Sequence, residues 1–408
     1  MAAAFDAYDP EFLDNPYPVY ARLRRESPVF YDDTWGLVFV APHALVSEIL
    51  KDRQRFGRDF RHRMAIDEVD PELYRRIYPP QWPTWTAYIR ESFIDLEPPR
   101  HTRLRRLVAK AFTRRSSEAF RPRMEQVADV ILDRALDRGE MDVIEEFATP
   151  IPVSMIAELM GIPPEDHPRL LEWSHAIVKV FDERVTEEEG AAAEQATKDF
   201  VAYLEALVEE RRRFPGDDLL SAMLDVEEHG ETLTKDEVVA TAILTLNAGH
   251  EATVHAIGNA LLALARDQDA YRRFRTEAEL STAVEELLRF DSPLQMFERW
   301  VLEDTAIDGV LLRRGTKVGL LFGAANHDEA VFDDPEVLDL ARDPNPHISF
   351  GAGVHHCVGA PLARVELEAA LGRFTARVGE LELHRVDDRI ESLVFRGVQR
   401  LEVGVTAA

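Results

Sequence analysis

The single cysteine of this 408-residue chain stands in a setting that suits chemistry better than packing. Phe350-Gly351-Ala352-Gly353-Val354-His355-His356-Cys357-Val358-Gly359 runs straight into a helical pattern. Pro361 falls where a first turn tolerates proline, and Leu362, Val365, Leu367, Ala369 and Leu371 supply the apolar face. Glycines before and after the cysteine let the backbone turn tightly and approach a flat partner. Loop amides and a helix N-terminus directed at a sulfur stabilise its thiolate, and a thiolate so held is a strong donor to iron. A packed structural cysteine and a nucleophile are the other readings. A zinc site is not, because one thiol and scattered histidines lack the paired ligand spacing.

Three charged groupings accompany the thiol. Glu286 and Arg289 lie at i, i+3 on a helical stretch and share a face. His101 and Arg105 lie at i, i+4 and project together. Arg100, Arg103, Arg105, Arg106, Lys110, Arg114 and Arg115 form a basic run without an acid, in a chain of 48 basic and 75 acidic residues. A local reversal of sign like this suits docking of an acidic partner, with a plain solvated helix face as the alternative.

The elements that must position these residues are mostly helical. Apolar spacing near 3.6 predicts helices over 123–138, 191–213, 235–266, 281–290 and 361–378. β-like runs sit at Val29–Tyr31, Leu37–Ala41, Leu381–Leu383 and Leu401–Val405, and across Thr305–Phe322 with turns at Asp308-Gly309 and Arg314-Gly315. The 62–95 stretch, with Pro71, Pro79, Pro80 and Pro83 among Tyr74, Tyr78, Trp82, Trp85 and Tyr88, reads as a long irregular connection of the kind that carries function. There is no repeat, and the reading is one mainly α domain with a minor β portion. A net charge of −27 disfavours nucleic-acid binding. No window approaches the apolar length of a membrane span, the N-terminus lacks a signal-peptide pattern and one cysteine forms no internal disulfide. A soluble, cytoplasmic protein without nucleic-acid or membrane partners is expected.

The cysteine segment resembles the cytochrome P450 pattern Phe-Gly-x-Gly-x-His-x-Cys-x-Gly at all its named positions, and the chain is similar to soluble bacterial members of that family from Asn15-Pro16-Tyr17-Pro18 to its C-terminus. The resemblance implies a mainly α fold with small β-sheets, and a single haem-binding domain spanning 1–408. It implies haem b (iron protoporphyrin IX) ligated by Cys357 in the 350–359 loop, with Phe350, Gly351 and Gly359 shaping that loop. It carries His101, Arg105, Arg299 and His355 over to the haem propionates. Glu286, Arg289 and Arg342 become a buried network bracing the haem-binding fold. His327 stands where the family commonly has arginine.

The 244–262 helix, with Ala248-Gly249-His250-Glu251-Ala252-Thr253, resembles the family's oxygen-activation segment. By resemblance Gly249 leaves room for dioxygen and Glu251 feeds protons toward it. The usual threonine is absent: Ala252 occupies its place, and the side chain of Thr253 is rotated by about 100°. A substrate hydroxyl or an ordered water completing the proton relay is the favoured explanation. Water organised by Thr253, and chemistry other than ordinary hydroxylation, are the others. The pocket implied by resemblance takes in the variable 62–95 loop and includes Trp85, Leu246, Asn247, Leu294, Met296, Phe297 and Phe395, with Asn247 and Gln295 as polar candidates. Such a lining suits an apolar small molecule. The implied reaction is insertion of one oxygen atom from O2 in secondary metabolism, with electrons from NAD(P)H through ferredoxin reductase and ferredoxin. Oxidative coupling, dehydrogenation or rearrangement on the same fold, and a non-catalytic haem sensor, are the alternatives.

Overall fold

A computed structural model describes residues 6–181, 184–225, 227–228 and 231–408. The chain divides into two compact units, each built from separated segments. The first comprises the chain up to Phe56, Arg114–Pro152 and Glu251–Ala408; the second comprises Gly57–Thr113 and Val153–His250.

The first unit holds both main sheets and the Ala360–Arg377 helix that follows the cysteine. Val29–Asp32 pairs antiparallel with Leu37–Val40, which lies parallel to Lys317–Leu321, itself antiparallel to Met296–Val301. A three-stranded sheet joins Val378–Val386, Leu401–Ala407 and Glu140–Asp142. The turn signals within 305–322 are real: Asp308, Gly309 and Gly315 all take positive φ, and separate Thr305–Ile307, Val310–Leu312 and Lys317–Leu321. The Arg114–Arg138 helix starts earlier than its apolar pattern suggests, because it runs through Pro122. It packs on the Ala360–Arg377 helix through a core that includes Ala128, Leu132, Phe147, Leu371 and Phe374. That core fixes the helix that begins three residues after Cys357.

The second unit is helical, with His167–Lys179 packed on Glu187–Arg213. Thr186 and Glu189 form a reciprocal N-terminal cap that starts the latter helix before its apolar periodicity begins. The 62–95 stretch is not irregular. It carries helices Pro71–Ile77 and Pro83–Ile89, each opened by a proline at its first position, and Asp70 caps the first by accepting from the amides of Glu72 and Leu73. Prolines that read as breakers act here as starters. The Lys235–Arg266 helix, expected at these bounds, continues from the second unit into the first. Among the described residues no helix is long and apolar enough to cross a membrane.

Candidate active site

Cys357 lies exposed in its loop, and its amide donates to the Phe350 carbonyl at 2.9 Å, closing the loop across its base. Gly351 and Gly353 both have φ near +70° (68° and 71°), a region L side chains rarely adopt. Gly353 is doubly constrained, since a Cβ there would stand 2.2 Å from the Leu50 carbonyl oxygen. A Cβ at Gly359 would stand 3.9 Å from the sulfur, so this glycine leaves a bare flank beside the thiol. His355 ends a 3-10 turn, Gly353–His355, and is half-buried.

The loop is braced from beneath. Glu286 and Arg289 have no exposure, and Arg289 donates from Nε and Nη2 to the two Glu286 oxygens at 2.8 Å each. Arg342 Nε, Asn345 Nδ2 and the Asp339 amide also donate to Glu286, at 3.1, 3.1 and 3.0 Å. Arg289 Nη1 donates to the carbonyls of Asn326 and Pro335. Asn326 then accepts from the Ile348 amide and donates to Ser349 Oγ, both at 2.8 Å, immediately before Phe350. Charge at the helix is thereby coupled through one asparagine to the base of the cysteine loop. His327 is wholly buried, stacked on Tyr17 at 3.8 Å, with its Nε2 2.9 Å from the Phe290 carbonyl.

Two further networks carry no signature in the sequence. Glu285 accepts from both Arg364 Nε (2.6 Å) and Nη2 (2.9 Å) and lies 2.9 Å from His347 Nε2, while the Arg364 guanidinium covers the Phe350 ring at 4.4 Å. Burial raises the Glu285 pKa, but His347 and Arg364 outweigh it and bring it down to about 2. Asp291 accepts from Tyr17, Arg389 and Arg396 at 2.7, 2.9 and 2.5 Å. Although burial opposes ionisation, Arg396 and Arg389 hold that carboxyl well below the usual range. Arg396 also donates to the carbonyls of Leu13 and Asp14, tying the N-terminal segment to residues near the C-terminus.

On the Lys235–Arg266 helix, Glu251 and Ala252 are half-buried and Thr253 is buried. His255 Nε2 lies 3.7 Å from Glu251 Oε1, one turn along the same face. Thr253 hydrogen-bonds through its hydroxyl to Glu366, a residue of the Ala360–Arg377 helix with 1 % exposure. Burial pushes the Glu366 carboxyl well above the usual range, outweighing the opposing effect of Thr253. Glu366 was not foreseen; in the sequence it is one more charged residue of an amphipathic helix. Gly249 has a packing role in its own unit, since a Cβ there would come within 2.9 Å of Ile156. His250 directs Nδ1 to the Leu246 carbonyl at 2.9 Å.

His101 and Arg105 share a face of the Arg100–Ala109 helix in the second unit, His101 buried and Arg105 half-buried. Arg299, in the first unit, is 3 % exposed, with Nη1 donating to the Glu298 carbonyl at 2.7 Å and its guanidinium over the Phe297 ring. Trp85 is packed against Phe181 and donates from Nε1 to the Ile177 carbonyl at 3.3 Å. Its helix is pinned by Glu194, which accepts from the amides of Thr84 and Trp85. Leu246 and Asn247 are buried in the second unit. In the first, Leu294 bridges to Phe395, both half-buried, and Phe297 lies 6.3 Å from Phe322. Met296 belongs to the core cluster of Tyr20, Phe39 and Leu321. Gln295 donates from Nε2 to the Ser292 carbonyl and lies against Gly323.

The donor set suits a haem: one exposed sulfur with a bare glycine flank, on a loop braced by a buried ion network, with a nearly buried arginine in the same unit. Residues 70–378 match the family model described as Cytochrome P450. The chain is 36% identical to Cytochrome P450 107B1 of Saccharopolyspora erythraea, over 97% of this chain and 96% of that one. It is 33% identical to the polyketide biosynthesis cytochrome P450 PksS of Bacillus subtilis, over 98% of each. The solved structure of P450BioI in complex with hexadec-9Z-enoic acid ligated acyl carrier protein superposes with a TM-score of 0.89 at 32% identity, over 97% of this chain and 99% of that one. Fold, cysteine loop and relatives agree, and the chain belongs to the cytochrome P450 family of haem-dependent monooxygenases.

Proposed function

We propose that this enzyme inserts one oxygen atom from O2 into an apolar small molecule, drawing electrons from NAD(P)H through a ferredoxin reductase and a ferredoxin. The observation that carries the reading is the Cys357 loop, closed on the Phe350 carbonyl and braced through Asn326 by the Glu286–Arg289 pair. Cys357 would hold the iron, and His101, Arg105, Arg299 and His355 would meet the propionates, which need cationic partners. Bound haem supplies the reductive activation of dioxygen, and its thiolate ligand favours O–O cleavage.

The protein's own contribution is to hold the sulfur and to deliver protons. Glu251 gives and regains a proton at its carboxyl oxygens, with His255 Nε2 at 3.7 Å to share the charge. Thr253 is engaged with Glu366, which argues against its replacing a hydroxyl at position 252. A substrate hydroxyl or a water beside Ala252 therefore completes the relay. In the second unit Arg100, Arg106 and Lys110 are exposed and suit an acidic ferredoxin, with Arg100 also paired to Glu91 and Arg103 to Glu237; in the first, Arg114 and Arg115 are exposed. The hexadecenoyl ligand of P450BioI and the polyketide context of PksS fit a long apolar substrate.

The test is product analysis under labelled dioxygen, with NADPH, ferredoxin reductase and ferredoxin, on a compound that perturbs the haem spectrum. One labelled atom in the product is expected; product without label refutes oxygen insertion.

A further inference from the structure

We propose that His175 and His250 form a site for a divalent transition-metal ion of the zinc class. The two histidines lie far apart in the sequence, so no ligand spacing announces them; the fold of the second unit brings them together. His175 stands exposed on the His167–Lys179 helix, and His250 is buried on the Lys235–Arg266 helix, with 1 % exposure. Their ring centres lie 6.0 Å apart, and a ring nitrogen of one is within 4.8 Å of a ring nitrogen of the other. A tetrahedral zinc ion bonded at about 2.0–2.1 Å holds two such nitrogens roughly 3.3 Å apart, a gap that a small turn of the exposed His175 ring closes. Among the described residues, no other group of histidine, cysteine and carboxylate side chains gathers its ligand atoms so closely.

His250 is prepared as a ligand. Its Nδ1 lies 2.9 Å from the Leu246 carbonyl, which only accepts, so Nδ1 carries the proton and Nε2 the lone pair. A second nitrogen donating to a backbone carbonyl is the usual arrangement behind a metal-bound histidine, because it fixes the tautomer and the ring's direction. Other histidines are engaged differently: His347 lies against Glu285, His327 against Glu336 and the Phe290 carbonyl, and His43 against the Pro346 carbonyl. Glu251 follows His250 directly on one unbroken helix, and its carboxylate lies within the same 4.8 Å of a His250 ring nitrogen. An ion held by His250 thus finds a carboxylate beside it, and a carboxylate bound to a metal no longer gives or regains a proton. The exposed His175 supplies the route of entry from solvent. Binding stands on the two histidines alone, whereas its consequence for turnover rests on the monooxygenase reading above.

The experiment titrates zinc chloride by isothermal calorimetry into haem-loaded wild type, His175→Ala and His250→Gln, with excess magnesium present throughout. Wild type should bind one zinc ion per chain at micromolar protein, undisturbed by magnesium, which prefers oxygen ligands to imidazole. Each variant should bind it about a hundredfold more weakly, since even the partners behind a metal ligand are worth about 10–100-fold in affinity. His175 is exposed, so its alanine variant tests the site even where His250→Gln fails to fold. With NADPH, ferredoxin reductase and ferredoxin, zinc should slow wild-type turnover at the concentrations that saturate the site, and slow His175→Ala only at about a hundredfold more. No zinc site in the wild type, a site displaced by magnesium, or an affinity unchanged in His175→Ala would each overturn the proposal, the last assigning the ion to other surface histidines. Saturated wild type that turns over at its zinc-free rate would overturn the placement of the ion beside Glu251. A wild type that binds zinc through both histidines but oxidises no substrate without zinc would support the metal site and count against the monooxygenase reading alone.

Discussion

Glu286→Ala removes the acceptor of five hydrogen bonds at a point without solvent exposure: two from Arg289 and one each from Arg342, Asn345 and the Asp339 amide. Arg289 would keep the carbonyls of Asn326 and Pro335, but its charge would stand in the interior with no counterion. Breaking a buried pair from one side costs about 3–5 kcal/mol. Whole-protein stabilities are only about 5–15 kcal/mol, so the folded-to-unfolded ratio should drop roughly a thousandfold. Loss should also appear locally, because the chain from Arg289 through Asn326 to Ile348 and Ser349 sets the base of the cysteine loop. The assay is guanidinium unfolding followed by circular dichroism, with haem content measured on the same samples. A Glu286→Leu/Arg289→Met double variant should be less destabilised than the single alanine, since it leaves no naked charge. A single variant within about 1 kcal/mol of wild type, or a double variant worse than the single, would refute the reasoning.

Two other outcomes are expected. Gly353→Ala forces a Cβ to 2.2 Å from the Leu50 carbonyl at φ +71°, and should cost about 1–3 kcal/mol and lower haem retention; unchanged unfolding and haem content would contradict this. The Glu285 carboxyl is depressed in the folded protein to about 2, so its stabilisation is complete above its ordinary range near pH 4.5 and is lost as pH falls toward 2. Wild type should therefore lose stability across that window more steeply than Glu285→Gln, and parallel slopes would show that the carboxylate contributes nothing there.

The parts legible in the sequence were those with local signals. The Lys235–Arg266 helix repeats its apolar spacing over 32 residues, and the cysteine loop compresses its glycines, histidine and thiol into ten positions. The 62–95 stretch was misread because a proline at a helix start and a proline in a loop look alike until a cap such as Asp70 is weighed. The Asp291 network was illegible for another reason: Tyr17, Asp291, Arg389 and Arg396 are scattered along the chain and each resembles an ordinary surface residue. Thr253 and Glu366 meet only because two long helices pack in one rotational setting, and a hydroxyl's direction around a helix is fixed by tertiary contacts.

The most direct measurement is the absorption spectrum of the ferrous–carbon monoxide complex of haem-loaded wild type and Cys357→Ser. A strongly red-shifted Soret band in the wild type, absent from the serine variant, is the predicted result. The same band in both proteins, or an imidazole-type spectrum in the wild type, would contradict sulfur ligation and the oxygen chemistry built on it.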